Sequence, residues 1–166
     1  EPVLHKLAGV GAAIEQNDEH VTIRSDGELT ATEVQSMPHP GFPTDKQAEM
    51  GALLTQAHGE SVVVERVFDR RFGYAAALQK LGADIIVDGT RAVIRGPTVL
   101  HGAELTVGND LRSGAAMILA GLVARGGTTI DGIHFIRRGY QDLAGDLVAL
   151  GASIDVVGSI QPRIPG

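Results

Sequence analysis

Apolar residues recur along this chain with two different periods. In "TDKQAEMGALLTQAHG", Met50, Leu53, Leu54 and Ala57 stand at i, i+3, i+4 and i+7; in "NDLRSGAAMILAGLVARGG", Ala115, Ile118, Leu119 and Leu122 do the same. Each pattern predicts one amphipathic helix. Thr44 and Asn109 occupy the expected capping positions, and Gly59 and Gly126 the expected stops. On both sides of Asp88-Gly89 and of Asn17-Asp18 the period falls to two, which predicts hairpins over "ADIIVDGTRAVIRG" and "AAIEQNDEHVTIRS". The β-branched stretches "SVVVE" and "GTTID" read as strands following the two helices, and "TEVQ" and "ELTV" as strands preceding them.

These elements repeat. Asp45 and Asp110 are 65 positions apart, as are Met50 and Ala115; Phe68/Phe135, Arg70/Arg137 and Arg71/Arg138 are 67 apart; Gly82/Gly151 and Ile85/Ile154 are 69 apart. A further copy of the unit's end, "LAGVGAAI", lies 71 positions before "LQKLGADI" in Gly11/Gly82 and Ile14/Ile85. One unit therefore runs strand, helix, strand, helix, strand, strand. A period this long exceeds that of common solenoids, so the expectation is an α/β domain in which a few units pack around shared helices. The first unit is present only as its tail and the third is clipped at "GSIQPRIPG", so the chain reads as part of something larger.

Composition narrows the partners. With 166 residues, 43% of them hydrophobic, the chain fits one domain with a real core. The longest apolar run, Ala115 to Ala124, is about half of a membrane span, and "EPVLHKLAGV" lacks the order of a signal peptide. The reading is a soluble, cytoplasmic protein with no membrane partner. A formal charge of −6 with 4% aromatics argues against nucleic acid. The sequence contains no cysteine, no His-x-x-x-His and no Walker loop, and no metal site is apparent. "GVGAA" closes a helix instead of opening one, so it reads as a C-cap and not a dinucleotide fingerprint.

Two kinds of residue could carry chemistry. A carboxylate in the first turn of a helix is favoured by the helix dipole, which accounts for Asp45 and, more completely, for Asp110. Only Asp45, however, is approached through Pro38, Pro40, Gly41 and Pro43, a stiffened path of the kind that holds functional loops in place. Arg70, Arg71, Arg137 and Arg138 lie at equivalent strand-to-helix corners, where guanidinium forks can meet a phosphate or carboxylate; pairing with Asp69, Asp110 or Asp142 is the plainer account. Arg112 sits in a first helical turn, where a cation gains nothing from the dipole and needs another reason to be.

The motifs "PHPGFPTDKQA", "VFDRRFGY", "NDLRSGAAMILAG" and "FIRRGYQDL" followed by "LGASI", in this order from about Gly9 to Asp155, closely resemble the enolpyruvyl transferases of the UDP-N-acetylglucosamine 1-carboxyvinyltransferase family. The resemblance implies one of a pair of similar domains, each an inside-out α/β barrel of three βαβαββ units. This chain would be most of the second, C-terminal domain, with the first absent. It also implies transfer of the enolpyruvyl group of phosphoenolpyruvate to the 3-hydroxyl of UDP-N-acetylglucosamine, a step of peptidoglycan precursor synthesis that releases phosphate and needs no metal or organic cofactor. Asp45 matches the aspartate that binds the sugar hydroxyl and acts as base, and Val67 a residue whose backbone contacts the nucleotide sugar. Arg71, Asp110, Arg112 and Arg138 match residues lining the cleft near phosphoenolpyruvate.

The sequence departs from the family pattern where Asp69 replaces a usual glutamate, Arg70 a usual asparagine and Arg137 a usual aspartate. The absent first domain would supply a Lys-Asn pair, a further arginine and a mobile loop, so the chain alone is expected to be inactive. A 5-enolpyruvylshikimate-3-phosphate synthase-like enzyme and a non-catalytic binding module remain as other readings, and an exposed cleft face would favour a homodimer.

Overall fold

A computed structural model describes residues 2–157. Helix α1 (Pro2–Gly9) leads into the hairpin β1 (Ala13–Gln16) and β2 (Val21–Arg24). A complete unit follows: β3 (Glu33–Gln35), a 3₁₀ turn (Thr44–Lys46), α2 (Gln47–Leu54), β4 (Gly59–Val64), α3 (Gly73–Lys80), β5 (Asp84–Asp88) and β6 (Arg91–Gly96). The next copy gives β7 (Glu104–Thr106), α4 (Leu111–Val123), β8 (Thr129–Asp131), a 3₁₀ segment (Ile133–Arg138) and α5 (Leu143–Ala149). The βαβαββ order read from the repeats is therefore present in full once, and all four expected strands and both hairpins form. The end of the third unit, "GSIQPRIPG", lies outside the described residues.

Each unit pairs its two leading strands in parallel, β3 with β4 and β7 with β8, across an intervening helix. In the complete unit the hairpin then adds β6 antiparallel to β4, with β5 at the edge, giving the order β3-β4-β6-β5. Helices α2, α3 and α4 pack on one another, and α2 also rests on β4 and β6, so the helices lie inside and the strands outside. Val34, Leu54, Val63, Leu78, Leu81 and Ile94 are wholly excluded from solvent at this centre. Side chains of this size contribute about 1.5–3 kcal/mol each when fully buried.

The expected helical stripes need correction. On α4 the buried residues are Ser113, Gly114, Ala115, Ala116, Met117 and Ala120, while Leu122 is exposed. α4 is the helix shared between α2, α3 and the 3₁₀ segment that follows β8, and small residues let all three approach. A Cβ on Gly114 would stand 2.6 Å from Ile136 Cγ1, and one on Gly51 of α2 would stand 2.5 Å from the Tyr74 ring of α3. Both glycines are there for close approach, and the first sets the distance between α4 and the segment carrying Arg138.

Candidate functional site

The proline-rich approach to Asp45 closes on itself: Met37 N donates to Phe42 O (3.0 Å), Gly41 N to Pro38 O (2.9 Å) and Lys46 N to Pro43 O (3.0 Å). The short 3₁₀ turn then carries Asp45 ahead of α2, whose N-cap, Lys46, makes no side-chain cap bond. Asp45 therefore caps nothing, and its side chain is 59% exposed. Thr44, read from the sequence as the cap, instead donates from Oγ1 to Glu65 Oε2 at 2.6 Å.

The equivalent aspartate does cap. Asp110 Oδ1 accepts from Arg112 N (3.1 Å) and Oδ2 from Ser113 Oγ (2.7 Å). Partial burial pushes this carboxyl up, but the bonds from Ser113 and the Arg112 amide, with the Arg112 charge, hold it below the ordinary aspartate value. Asn109, expected as the cap, accepts from Arg138 Nη1 at 2.7 Å instead.

Arg112 joins the two copies. Its Nε donates to Asp45 Oδ1 at 2.6 Å while its Nη1 stands 3.5 Å from Asp110 Oδ1. The Asp45 bond is the largest influence holding this guanidinium above its usual value. Here is the other reason that a cation in a first helical turn requires. Arg71 Nη1 reaches the same Asp45 oxygen at 4.0 Å, with its guanidinium stacked 4.4 Å from the Phe68 ring centroid. Both contacts fall on Oδ1; among the described residues no hydrogen bond reaches Oδ2.

Arg71, Asp45, Arg112 and Asp110 thus form one connected chain of charges, with Arg138 one residue away through Asn109. Arg71, Asp110 and Arg112 also line a cavity of about 620 Å³ between α3 and α4, whose wall includes Arg70, Lys80 and Asn109. A hollow of about 580 Å³ beside α1 and β3 is lined by no arginine. The expected pairing with Asp69 or Asp142 does not occur among the described residues; Asp142 caps α5 by accepting from Gly145 N.

A match to the family model for EPSP synthase (3-phosphoshikimate 1-carboxyvinyltransferase) extends over residues 1–147. The chain belongs to the EPSP synthase family. Among curated relatives it is 42% identical over 153 residues to UDP-N-acetylglucosamine 1-carboxyvinyltransferase 2 of Clostridium tetani, with 92% of this chain and 36% of that protein covered. It is 46% identical over 154 residues to UDP-N-acetylglucosamine 1-carboxyvinyltransferase of Trichormus variabilis, covering 92% of this chain and 34% of the relative. The crystal structure of the enolpyruvyl transferase NikO from Streptomyces tendae superposes with a TM-score of 0.83 at 33% identity, over 92% of this chain and 35% of that one. The chain spans about a third of the length of these relatives.

Within this member of the EPSP synthase family, Val67 takes a more specific form than the sequence suggested. Its N–H is already committed to Glu65 Oε1 at 2.6 Å, so only its carbonyl is left to meet a ligand. Sequence reasoning passed over Glu65 altogether, although a charged residue closing the run "SVVVE" was a signal. It also missed the contact of Lys46 and Glu49 with Tyr140. Lys46 Nζ donates to Tyr140 Oη and to Glu49 Oε1 (2.9 Å each), and Tyr140 Oη donates to Glu49 Oε1 (2.6 Å). This cluster fastens α2, next to Asp45, to the turn just after Arg138.

Among the described residues no helix is long and apolar enough to cross a membrane, and no group of His, Asp and Glu is arranged to hold a metal.

Proposed function

We propose that this chain supplies one half of the active-site cleft of an enolpyruvyl transferase acting on phosphoenolpyruvate and the 3-hydroxyl of UDP-N-acetylglucosamine in peptidoglycan precursor synthesis. The observation that carries the reading is the clamp on Asp45: Oδ1 is fixed by Arg112 at 2.6 Å while Oδ2 takes no hydrogen bond among the described residues, on a side chain 59% exposed. A carboxylate held by one oxygen and open at the other suits a general base for an incoming hydroxyl. The guanidiniums of Arg71, Arg112 and Arg138 suit a substrate with both a carboxylate and a phosphate. The sugar nucleotide is assigned from the names of the curated relatives.

In the reaction, Asp45 takes the hydroxyl proton as the sugar oxygen bonds to C2 of phosphoenolpyruvate, whose C3 gains a proton. Loss of a C3 proton then re-forms the double bond as the C2–O bond to phosphate breaks. The arginines hold the substrate anion and then the departing phosphate, which is the electrostatic share of the catalysis. The proton exchange at C3 falls to the complementing domain, which corresponds to the part of the relatives this chain does not span. That domain is the partner proposed here; a homodimer draws no support from the comparisons.

Phosphate release by the chain combined with a complementing first domain tests this. Asp45→Asn should lower kcat by about 10²–10⁴, the usual worth of a general base. Near-normal turnover would overturn the assignment of Asp45.

A further inference from the structure

Glu65 directly follows β4 and is 2% exposed, yet its hydrogen-bond partners are all uncharged. Its Oε2 accepts from Thr44 Oγ1 (2.6 Å) and Gln47 Nε2 (2.8 Å), and its Oε1 from the backbone N–H groups of Val67 (2.6 Å) and Phe68 (3.1 Å). All four are donors, each oxygen accepts twice, and none of the four groups is a cation. A buried carboxylate without an ion partner is costly, and a fold retains one where its bonds fix something a neutral side chain would not.

What these bonds fix is specific. Thr44 opens the 3₁₀ turn that presents Asp45, and Gln47 directly follows it. Val67 and Phe68 begin the loop that runs through Arg70 to Arg71, and Phe68 is the ring on which Arg71 stacks. One side chain thus ties the loop carrying the proposed base to the loop carrying a proposed anion-holding arginine. The bond from the Phe68 amide also orients the Val67 carbonyl, which shares its peptide plane. We infer that Glu65 is a positioning residue for the reaction, setting the Asp45 turn and the Val67–Arg71 loop in register with each other.

The inference rests on the enolpyruvyl-transfer reading. Its distinguishing feature is that both loops are held through one carboxylate, so losses on the two sides should not be independent. The Glu65 amide variant keeps the shape and can still accept from the Val67 and Phe68 amides with its oxygen. The isosteric change Thr44→Val removes the hydroxyl that joins Asp45's turn to Glu65 without touching the arginines. Both are measured in the chain combined with its complementing domain, with Asp45→Asn alongside.

Thr44→Val and Glu65→Gln should each lower kcat about tenfold, with the KM for phosphoenolpyruvate changed less than threefold. The double variant should be no worse than the poorer single one, because the same link is cut twice. Glu65→Ala should lose at least a hundredfold, with Glu65→Gln recovering most of it. Should Glu65→Ala fail to fold, the Thr44→Val and Glu65→Gln cycle decides alone. Single variants with wild-type kcat, or losses that multiply in the double variant, overturn the role of Glu65 while a large Asp45→Asn defect leaves the function standing. If Asp45→Asn is itself harmless, the reading beneath the inference fails and the inference with it.

Discussion

Arg70 has φ 56°, the left-handed region, and is the one non-glycine residue among those described to lie there. For a side chain with a Cβ this conformation costs about 1–2 kcal/mol, and asparagine tolerates it best after glycine. Among the described residues the Arg70 side chain makes no hydrogen bond or ion pair, so replacing it forfeits no contact of that kind. Arg70→Asn should therefore stabilise the chain by about 0.5–1 kcal/mol, raising Tm by about 1–4 °C for a domain of this size. Arg70→Gly relieves the strain but widens the unfolded ensemble, and should land between Asn and Arg. Arg70→Ala removes the charge and keeps the strain, so it should stay within a few tenths of a kcal/mol of the parent, while Arg70→Val should be worse than either. Calorimetric melts of the four variants under one buffer give the order directly. An alanine variant as stable as the asparagine one would show that charge relief, not backbone conformation, sets the effect, and an asparagine variant with no gain would refute the strain argument outright.

At the start of α4, Asp110→Ala should cost about 1–2 kcal/mol in urea unfolding through loss of the cap, whereas Asp110→Asn, which can still cap, should cost less than half of that. Because the folded-state value of Asp110 is depressed, its charge contributes stability that is present above the ordinary aspartate range and lost as pH falls through the folded value. Asp110→Asn should accordingly flatten the stability profile below about pH 4 and leave it unchanged in form near neutrality. Tyr140→Phe removes the hydroxyl between Lys46 and Glu49 but leaves their 2.9 Å pair intact; a loss of about 1–2 kcal/mol is expected in denaturant titrations. An unchanged midpoint would show that the cluster contributes nothing to anchoring the turn after Arg138.

The repeat made most of this architecture legible, since a period carried by Gly-Ala-x-Ile endings and β-branched runs survives without knowledge of packing. Helix faces were less legible. The i, i+3, i+4, i+7 stripe on α4 pointed to Leu122, but a helix surrounded by three neighbours buries its small residues, and periodicity alone does not count neighbours. Caps were misplaced in both copies, by one position at α4 and by two at α2, for a related reason. Thr44 and Asn109 are good cap residues by type, yet each is drawn away by a partner distant in sequence, Glu65 in one case and Arg138 in the other. The chain of charges through Arg112 was invisible in the same way, although its oddity in a first turn was a correct signal. The unusual asparagine-to-arginine departure at position 70 acquires its physical meaning only from the backbone angle.

The two aspartates at corresponding helix starts show what duplication makes available. Asp110 is bound to the stability of its own helix, so changes there are screened by folding before any chemistry is tested. Asp45 stands on a 3₁₀ turn that needs no carboxylate to hold it, which removes that screen. A position released from structural duty in one copy, while its twin keeps the fold intact, can be shaped by ligand alone. The unit's internal symmetry is thus also a division between an architectural role and one left open to change.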